Sequence, residues 1–296
     1  MTTTSEAYQK TIADIVKSAG DDQLVKGARN VAGPAAVKML QAAGLDSSTG
    51  TPFTLLDHAC GSGVTAAILN RAVGRSLLEK SSILCADVSE PMVDLVKRRI
   101  ANEGWINTTA ERRDAQSSGL PNGFFTHVTI GMGLHIIPDP DAALKDCIRV
   151  LKLGGTLAFT TFPQSAGDYG WVPDARSAFE SFPTEIPFSP VMQLHNSGRW
   201  FDESWVEKTL VDHGFQNVKV VLHSYPVPID GPEHFVQQFG MMFDMFRKTQ
   251  WNDELREKYS REDTLERVKA HLQEKYRGKG WDLTFTVIVG SGQIPE

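Results

Sequence analysis

Residues 53–66, FTLLDHACGSGVTA, combine an apolar run, an aspartate and two glycines separated by one residue. The apolar run has the length and character of a buried strand, and the small residues after Gly63 are typical of a helix start. Glycines in such a turn let the backbone approach a ligand closely, outside the carboxyl end of a parallel strand. The segment therefore predicts a binding turn for a nucleotide-like ligand.

Two ligand classes fit these glycines. A dinucleotide site has the pattern GxGxxG with the pyrophosphate on the helix N-terminus, and GSGVTA places Ala66 at the third glycine position, which some such sites accept. Asp57 argues for the other class, because a fixed carboxylate at the strand end repels a pyrophosphate and suits a cationic, amine-bearing ligand. A nicotinamide-dependent oxidoreductase stays open as an alternative.

The pattern D-x-A-C-G-x-G, formed by Asp57, Ala59, Cys60, Gly61 and Gly63, resembles motif I of class I S-adenosylmethionine-dependent methyltransferases. The resemblance implies that these residues bind S-adenosylmethionine and that the product is S-adenosylhomocysteine. The ammonium and sulfonium groups of this donor agree with the charge argument.

Two further aspartates, Asp87 in CADVSEPM and Asp114 in RRDAQ, end predicted strands. An acid at the end of the second strand is typical of a ribose contact. The resemblance implies that Asp87 binds the ribose hydroxyls and that Asp114 accepts a hydrogen bond from the adenine amino group. The other cofactor contacts that it implies are Val88, Met92, Ala115 and Gly131.

The resemblance covers residues 53–162 and includes the family's turn before the fifth strand, where Leu153 replaces the usual proline. DVSEPMVDLVKRRIANEGW and neighbouring segments are similar to fungal secondary-metabolite methyltransferases of the gliotoxin thiol S-methyltransferase type. This implies methyl transfer to S, O or N of a small, largely apolar metabolite. A catalytically silent cofactor-binding regulator of secondary metabolism is the alternative, and the acceptor-facing segments match too poorly to identify the acceptor.

Three histidines are considered for catalysis. Transfer from a sulfonium is an in-line displacement that depends on positioning, and a base is needed only for an acceptor that does not ionise by itself. His135 in GMGLHII is the candidate catalytic residue, and His195 in VMQLHNSGRW is the second candidate base. His58 follows Asp57 and should point to the opposite face of its strand, where we expect it either to pack or to lie at the surface.

Residues 163–200 and 226–280 interrupt the alternation of strands and helices and are expected to be helical or irregular cap insertions that select the acceptor. The first is rich in proline, which predicts irregular structure. The run FVQQFGMMFDMF places aromatic and methionine side chains on one helical stripe, which either lines an apolar pocket or packs the cap. The candidate substrate contacts are Trp171, His195, Trp200, Phe235, Phe239 and Met242.

The elements that position these residues alternate regularly. Strands are predicted at 53–59, 82–88, 108–112, 125–131, 155–162, 216–225 and 282–290, and helices at 21–43, 63–73, 89–103, 139–151, 202–213, 234–248 and 254–276. Continuous apolar runs such as SILCADV are typical of strands covered on both faces. The pattern predicts one α/β domain, residues 1–296, with an N-terminal helical region at 1–46. Its sheet should be Rossmann-like and seven-stranded, mostly parallel with an antiparallel edge strand. Asp21 and Asp22 predict a helix cap, and Pro34 predicts an interruption or restart of that helix.

The composition points to a small-molecule acceptor. A net charge of -6 among 296 residues, without a long Lys/Arg run, argues against nucleic acid or an anionic membrane as partner. No apolar stretch approaches the roughly 20 residues that span a bilayer, and the start lacks a signal-peptide pattern, so a cytoplasmic location is expected. Cys60, Cys85 and Cys147 lack a CxxC spacing, which predicts reduced thiols and no metal site. A homodimer is compatible with the sequence.

Overall fold

The structure is a computed structural model that describes residues 20–163, 169–190, 193 and 195–296. The chain divides into two compact units. The first comprises residues 1–163, 193–223 and 287–296, and the second comprises residues 164–192 and 224–286. Residues 1–19 of the predicted N-terminal helical region lie outside the described residues.

Seven strands form one sheet in the order β3-β2-β1-β4-β5-β7-β6. β1 pairs in parallel with β2 and β4, β2 with β3, and β4 with β5, whereas β7 runs antiparallel to β5. The predicted α/β sheet, mostly parallel with an antiparallel edge, is therefore confirmed. The strands are β1 (Thr54–His58), β2 (Ser82–Asp87), β3 (Thr108–Arg112), β4 (Phe125–Gly131), β5 (Leu151–Thr161), β6 (Gln216–Ile229) and β7 (Trp281–Gln293).

The side chains of successive β1 residues belong to two different hydrophobic cores of the first unit. Leu55 packs with Met39 and Leu69, and Leu56 packs with Val128 and Leu144. Because side chains alternate across a strand, two apolar cores on opposite faces explain why the strand sequences are continuously apolar. The helices of this unit are α1 (Asp21–Ala42), α2 (Val64–Ala72), α3 (Arg75–Leu78), α4 (Glu90–Glu103), α5 (Pro140–Val150) and α7 (Glu203–Asp212).

Two predictions about α1 are wrong. The N-cap is Gly20, without a side-chain cap, because the Asp21 carboxylate accepts hydrogen bonds from Arg98 at 2.7 and 3.0 Å. Pro34 lies inside a continuous helix. Buried residues on both sides of it, including Gly33 and Met39, show that packing outweighs the lost backbone hydrogen bond.

The second unit has its own aromatic core. Its helices are α6 (Val172–Glu180), α8 (Pro232–Gln250), α9 (Asp253–Lys258) and α10 (Arg261–Tyr276). The Trp171 ring contacts those of Phe239, Phe243 and Phe246, with centroids 5.8 to 6.0 Å apart. Beside this core, buried Asp174 accepts hydrogen bonds from Lys275 and two aromatic side chains, which neutralises its charge locally.

Two sequence predictions for this unit need correction. Residues 163–200 are not wholly irregular, because α6 forms there; Pro173 lies in its first turn, where no backbone N–H is needed. The helix predicted over 254–276 is divided at Tyr259, since Ser260 and Asp263 form a capping box that starts α10. Among the described helices, none has the length and apolar character to cross a membrane.

Candidate functional site

The turn after β1 contains three residues with positive φ: Ala59 at 49°, Gly61 at 51° and Gly63 at 77°. Cys60 N–H donates to the Ala86 carbonyl of β2 at 3.0 Å, which fixes the turn to the neighbouring strand. A Cβ atom built on Gly61 would meet nothing within 4 Å, whereas one on Gly63 would lie 3.1 Å from Trp105. Gly61 therefore faces open space, and Gly63 is required by close packing.

The two glycines give a matched pair of variants. We expect Gly63→Ala to lower the free energy of unfolding by about 2 kcal/mol, because it adds a close contact with Trp105 to the cost of positive φ. Gly61→Ala should cost only about 1 kcal/mol, from backbone strain alone, yet weaken cofactor binding more than tenfold by filling the open space. Urea unfolding and calorimetric titration measure the two effects. Equal loss of stability in both variants would contradict this assignment.

Asp57 is 1% exposed and lies at the carboxyl end of β1. Its Oδ1 accepts a hydrogen bond from the Thr129 hydroxyl at 2.7 Å, and within the described residues its Oδ2 has no hydrogen-bond partner. Burial raises the pKa of Asp57 to about 7, although the hydroxyls of Thr129 and Thr65 oppose the shift. A buried, half-satisfied carboxyl is suited to bind a cationic group, which would favour its ionised form.

Asp87 fixes the glycine turn from the end of β2. Its Oδ2 accepts a hydrogen bond from Gly61 N–H at 2.9 Å, and its Oδ1 accepts one from Ser89 N–H at 2.9 Å. Burial raises the pKa of this carboxyl, and the backbone donors oppose the shift. Each carboxylate oxygen accepts more than one hydrogen bond, so Asp87 retains the capacity to bind hydroxyl groups.

Asp114 lies after β3 and is exposed, and Ala115 beside it is buried. The Gln116 side-chain amide donates to both carboxylate oxygens of Asp114, at 2.9 and 3.1 Å. Of the other predicted cofactor contacts, Val88, Met92 and Gly131 are half-buried and Cys60 is buried. The Cys85 thiol and burial raise the pKa of the Cys60 thiol, so Cys60 is no nucleophile at neutral pH.

His135 and His195 belong to the first unit. His135 is 4% exposed and its Nδ1 lies 3.2 Å from the Thr161 hydroxyl. Burial, together with His195, lowers the pKa of His135 to about 3. His195 Nε2 lies 2.8 Å from the Leu134 carbonyl, to which it must donate, and its Nδ1 accepts from Ser197 N–H. Both imidazoles are therefore held as neutral hydrogen-bonding groups.

The remaining predicted substrate contacts are core residues or lie beside the core. Trp200 is buried in the first unit, where its ring meets Phe159 with centroids 5.9 Å apart. In the second unit Trp171, Phe235 and Phe239 are buried, and Met242 is half-buried. Their predicted contact with an acceptor stays a prediction. His58 is fully buried, on the face opposite to that of Asp57, as packing requires.

Sequence reasoning missed three features of this site. Thr129 holds Asp57 from β4, Ser62 Oγ is buried without a partner among the described residues, and Met132 has a φ of 53° after β4. A non-glycine residue with positive φ marks backbone strain of the kind that collects at functional sites. Only the nearby glycines in GMGLH signal such a turn in the sequence.

These residues fit S-adenosylmethionine. Within the described part of the chain, Asp57 Oδ2 and the Ser62 hydroxyl are buried polar atoms without a hydrogen-bond partner, which a ligand with an ammonium group would supply. The open space at Gly61 would leave room for such a ligand beside the turn. A pyrophosphate would instead meet the carboxyls of Asp57 and Asp87. The geometry thus favours a cationic donor over a dinucleotide.

The chain is similar to three proteins of Aspergillus species that are named as methyltransferases. The chain is 31% identical to methyltransferase ktnA of Aspergillus niger over 77% of this chain and 80% of the relative. It is 28% identical to methyltransferase tpcH of Aspergillus fumigatus over 93% and 96%. It is 30% identical to acetylaranotin bis-thiomethyltransferase of Aspergillus terreus over 85% of each chain.

Solved structures show the same fold. The YcgJ protein of Bacillus subtilis matches with a TM-score of 0.53 and 15% identity, over 88% of this chain and 98% of that one. The Haemonchus contortus phosphoethanolamine N-methyltransferase 2, in complex with S-adenosylhomocysteine, matches with a TM-score of 0.52 and 15% identity, over 89% and 53%.

The family comparison identifies the class of enzyme. The model of the ubiE/COQ5 methyltransferase family matches residues 38–218, which include the glycine turn and the strand ends that carry Asp57, Asp87 and Asp114. This favours methyl transfer over the oxidoreductase alternative left by the sequence. The chain belongs to the ubiE/COQ5 methyltransferase family and is an S-adenosylmethionine-dependent methyltransferase.

Proposed function

We propose that this enzyme methylates a thiol of a small, largely apolar molecule, and that the donor is held by the predicted cofactor residues at the ends of β1 to β4. S-adenosylmethionine supplies an electrophilic methyl group on its sulfonium. The chain's task is to hold the donor and the acceptor in line, since no bond to the protein has to form.

Three aspartates are proposed to contact the methyl donor, each at a different part of the molecule: Asp57, Asp87 and Asp114. Buried Asp57 would meet the ammonium group, because its Oδ2 lacks a partner among the described residues. Asp87 would meet the ribose hydroxyls while it holds Gly61. Asp114, oriented by Gln116, would accept from the adenine amino group.

The low basicity of His135 is the observation that carries the choice of acceptor. A group with a pKa of about 3 is a weak proton acceptor at neutral pH, and His195 uses both ring nitrogens in hydrogen bonds. Neither histidine is suited to deprotonate a phenol, whose pKa is about 10. A thiol with a pKa of about 8.5 is partly ionised without help. We therefore propose that His135 faces the acceptor as a neutral group and does not act as a base.

The relative named acetylaranotin bis-thiomethyltransferase supports a sulfur acceptor, because the similarity extends over 85% of both chains. Transfer to oxygen or nitrogen is the competing proposal. A homodimer, a cytoplasmic location and the single domain with cap insertions stay predictions of the sequence.

The test is a panel of thiol, phenol, amine and carboxylate metabolites with labelled S-adenosylmethionine, followed by mass analysis of the product. We expect thiols to be methylated fastest, with a rate that rises with pH as the thiol ionises.

His135→Asn, which keeps a hydrogen-bonding group near Thr161, should change kcat for the thiol less than about threefold. Loss of a general base would cost about 10² to 10⁴. A preferred phenol acceptor, together with a loss of that size, would overturn the proposal; thermal melting shows that the variant is folded.

A further inference from the structure

The segment after β3 is tied to the start of α5. Gln116, which orients the Asp114 carboxylate, accepts a hydrogen bond through its Oε1 from Asp139 N–H at 3.0 Å. Asp139 is the N-cap residue of α5. The carboxyl proposed to contact adenine is therefore oriented by a side chain that is itself fixed to a helix.

A partly buried ionic cluster ties the same segment to the end of α5. The Ser118 hydroxyl, 3% exposed, donates to Asp146 Oδ2 at 2.5 Å. Arg149 donates to Asp146 Oδ1 at 2.6 Å and to Ser118 Oγ at 3.2 Å. Its other terminal nitrogen donates to the Leu120 carbonyl and to Asn122 Oδ1. Two charged residues of one helix thus hold three residues of the segment.

The Asp146 carboxylate also lies close to the end of β1. His58, which directly follows Asp57, is fully buried, and its Nε2 lies 3.8 Å from Asp146 Oδ2. Although burial raises the pKa of Asp146, His58, Ser118 and Arg149 together hold it below its usual range. One ionised carboxylate therefore contacts both peptide segments that carry proposed donor contacts.

We propose that Asp146 and Ser118 are positioning residues, which hold residues 114–122 in the conformation that binds the adenosine part of the donor. Neither residue needs to touch the ligand. A segment held in its binding conformation before the ligand arrives loses less conformational entropy on binding. This proposal rests on the cofactor contacts proposed above.

Ser118→Ala tests the proposal with two ligands. We expect it to weaken binding of S-adenosylhomocysteine and of 5′-methylthioadenosine by the same factor, about three- to tenfold. The variant loses one hydrogen bond to a charged group, and this loss affects the ligand only through the position of residues 114–122. Both ligands carry the adenosine part, and only the first carries the amino acid part. The KM for S-adenosylmethionine should rise, with kcat changed less than twofold. Should this variant melt too early for titration, Asp146→Asn replaces it with the same expected result.

Ser81→Ala is the matched control. Ser81 is also buried, donating to the Leu77 carbonyl at 2.8 Å and accepting from Phe53 N–H at 3.1 Å, at the opposite end of β1. It should lower Tm without changing either affinity. Unchanged affinities in Ser118→Ala, or a loss confined to S-adenosylhomocysteine, would overturn the positioning role. Failure of Asp57→Asn to weaken S-adenosylhomocysteine would instead refute the proposed cofactor site itself.

Discussion

Asp57→Asn is expected to stabilise the ligand-free enzyme above pH 7 while weakening its binding of S-adenosylhomocysteine by about 10- to 100-fold. The binding loss corresponds to a hydrogen bond to a charged group, about 1.5 to 3 kcal/mol. The gain in stability arises because the wild-type carboxyl is buried with one oxygen lacking a partner among the described residues. Asparagine has nearly the same shape and carries no charge to desolvate.

The pH dependence has a definite sign. The pKa of Asp57 is raised from 3.8 to about 7 in the folded protein. As pH rises, Asp57 therefore loses its proton in the unfolded chain before it does so in the folded protein. The contribution of Asp57 to the free energy of unfolding falls between about pH 4 and about pH 7 and then stays constant. One pK unit corresponds to about 1.4 kcal/mol, so the loss is on the order of a few kcal/mol. Asp57→Asn should lack this component.

Thermal melting from pH 5 to pH 9, with and without S-adenosylhomocysteine, measures both effects. In the wild type the ligand should raise Tm more at pH 8 than at pH 5, because the ammonium group binds the ionised carboxyl. Asp212→Asn is the control, since Asp212 is an exposed carboxylate paired with Lys208 on α7. If Asp57→Asn kept full affinity at pH 8, the ammonium contact would be wrong.

The sequence predicts the central strands well because their signal is local. β3 and β4 have the predicted bounds, and β2 differs by one residue, since each is a short apolar or β-prone run between turn residues. The errors at Asp21 and Pro34 have non-local causes. The Asp21 carboxylate binds Arg98, 77 positions away, instead of capping its helix. Tertiary packing keeps α1 continuous at Pro34.

The candidate site likewise has features that the sequence predicts and features that it does not. Strand ends and glycines can be recognised from the sequence, so Asp57, Asp87 and Gly61 could be assigned to one edge of a sheet. The hydrogen bond from Gly61 to Asp87 joins positions 26 apart, and the bond from Thr129 to Asp57 joins positions 72 apart. The low basicity of His135 depends on complete burial. No local pattern encodes these features, because they arise only when the strands pair.

Asp87→Ala is expected to weaken binding of S-adenosylhomocysteine by about 1 to 3 kcal/mol. The variant removes the proposed partner of the ribose hydroxyls. It also leaves the N–H groups of Gly61 and Ser89 without their acceptor, so the glycine turn loses its link to β2.

Ligands that lack ribose hydroxyls separate these two causes. Wild-type enzyme should bind 5′-methylthioadenosine more tightly than its 2′,3′-dideoxy analogue, whereas Asp87→Ala should bind both with similar affinity. If Asp87 only held the Gly61 turn, the variant would still discriminate between the two ligands by the wild-type factor. Glu90→Ala is the matched control, since Glu90 is an exposed carboxylate three positions away, 3.9 Å from Arg112, and should leave both affinities unchanged. If Asp87→Ala still discriminated between the two ligands, Asp87 would only support the Gly61 turn, and another residue would bind the ribose hydroxyls.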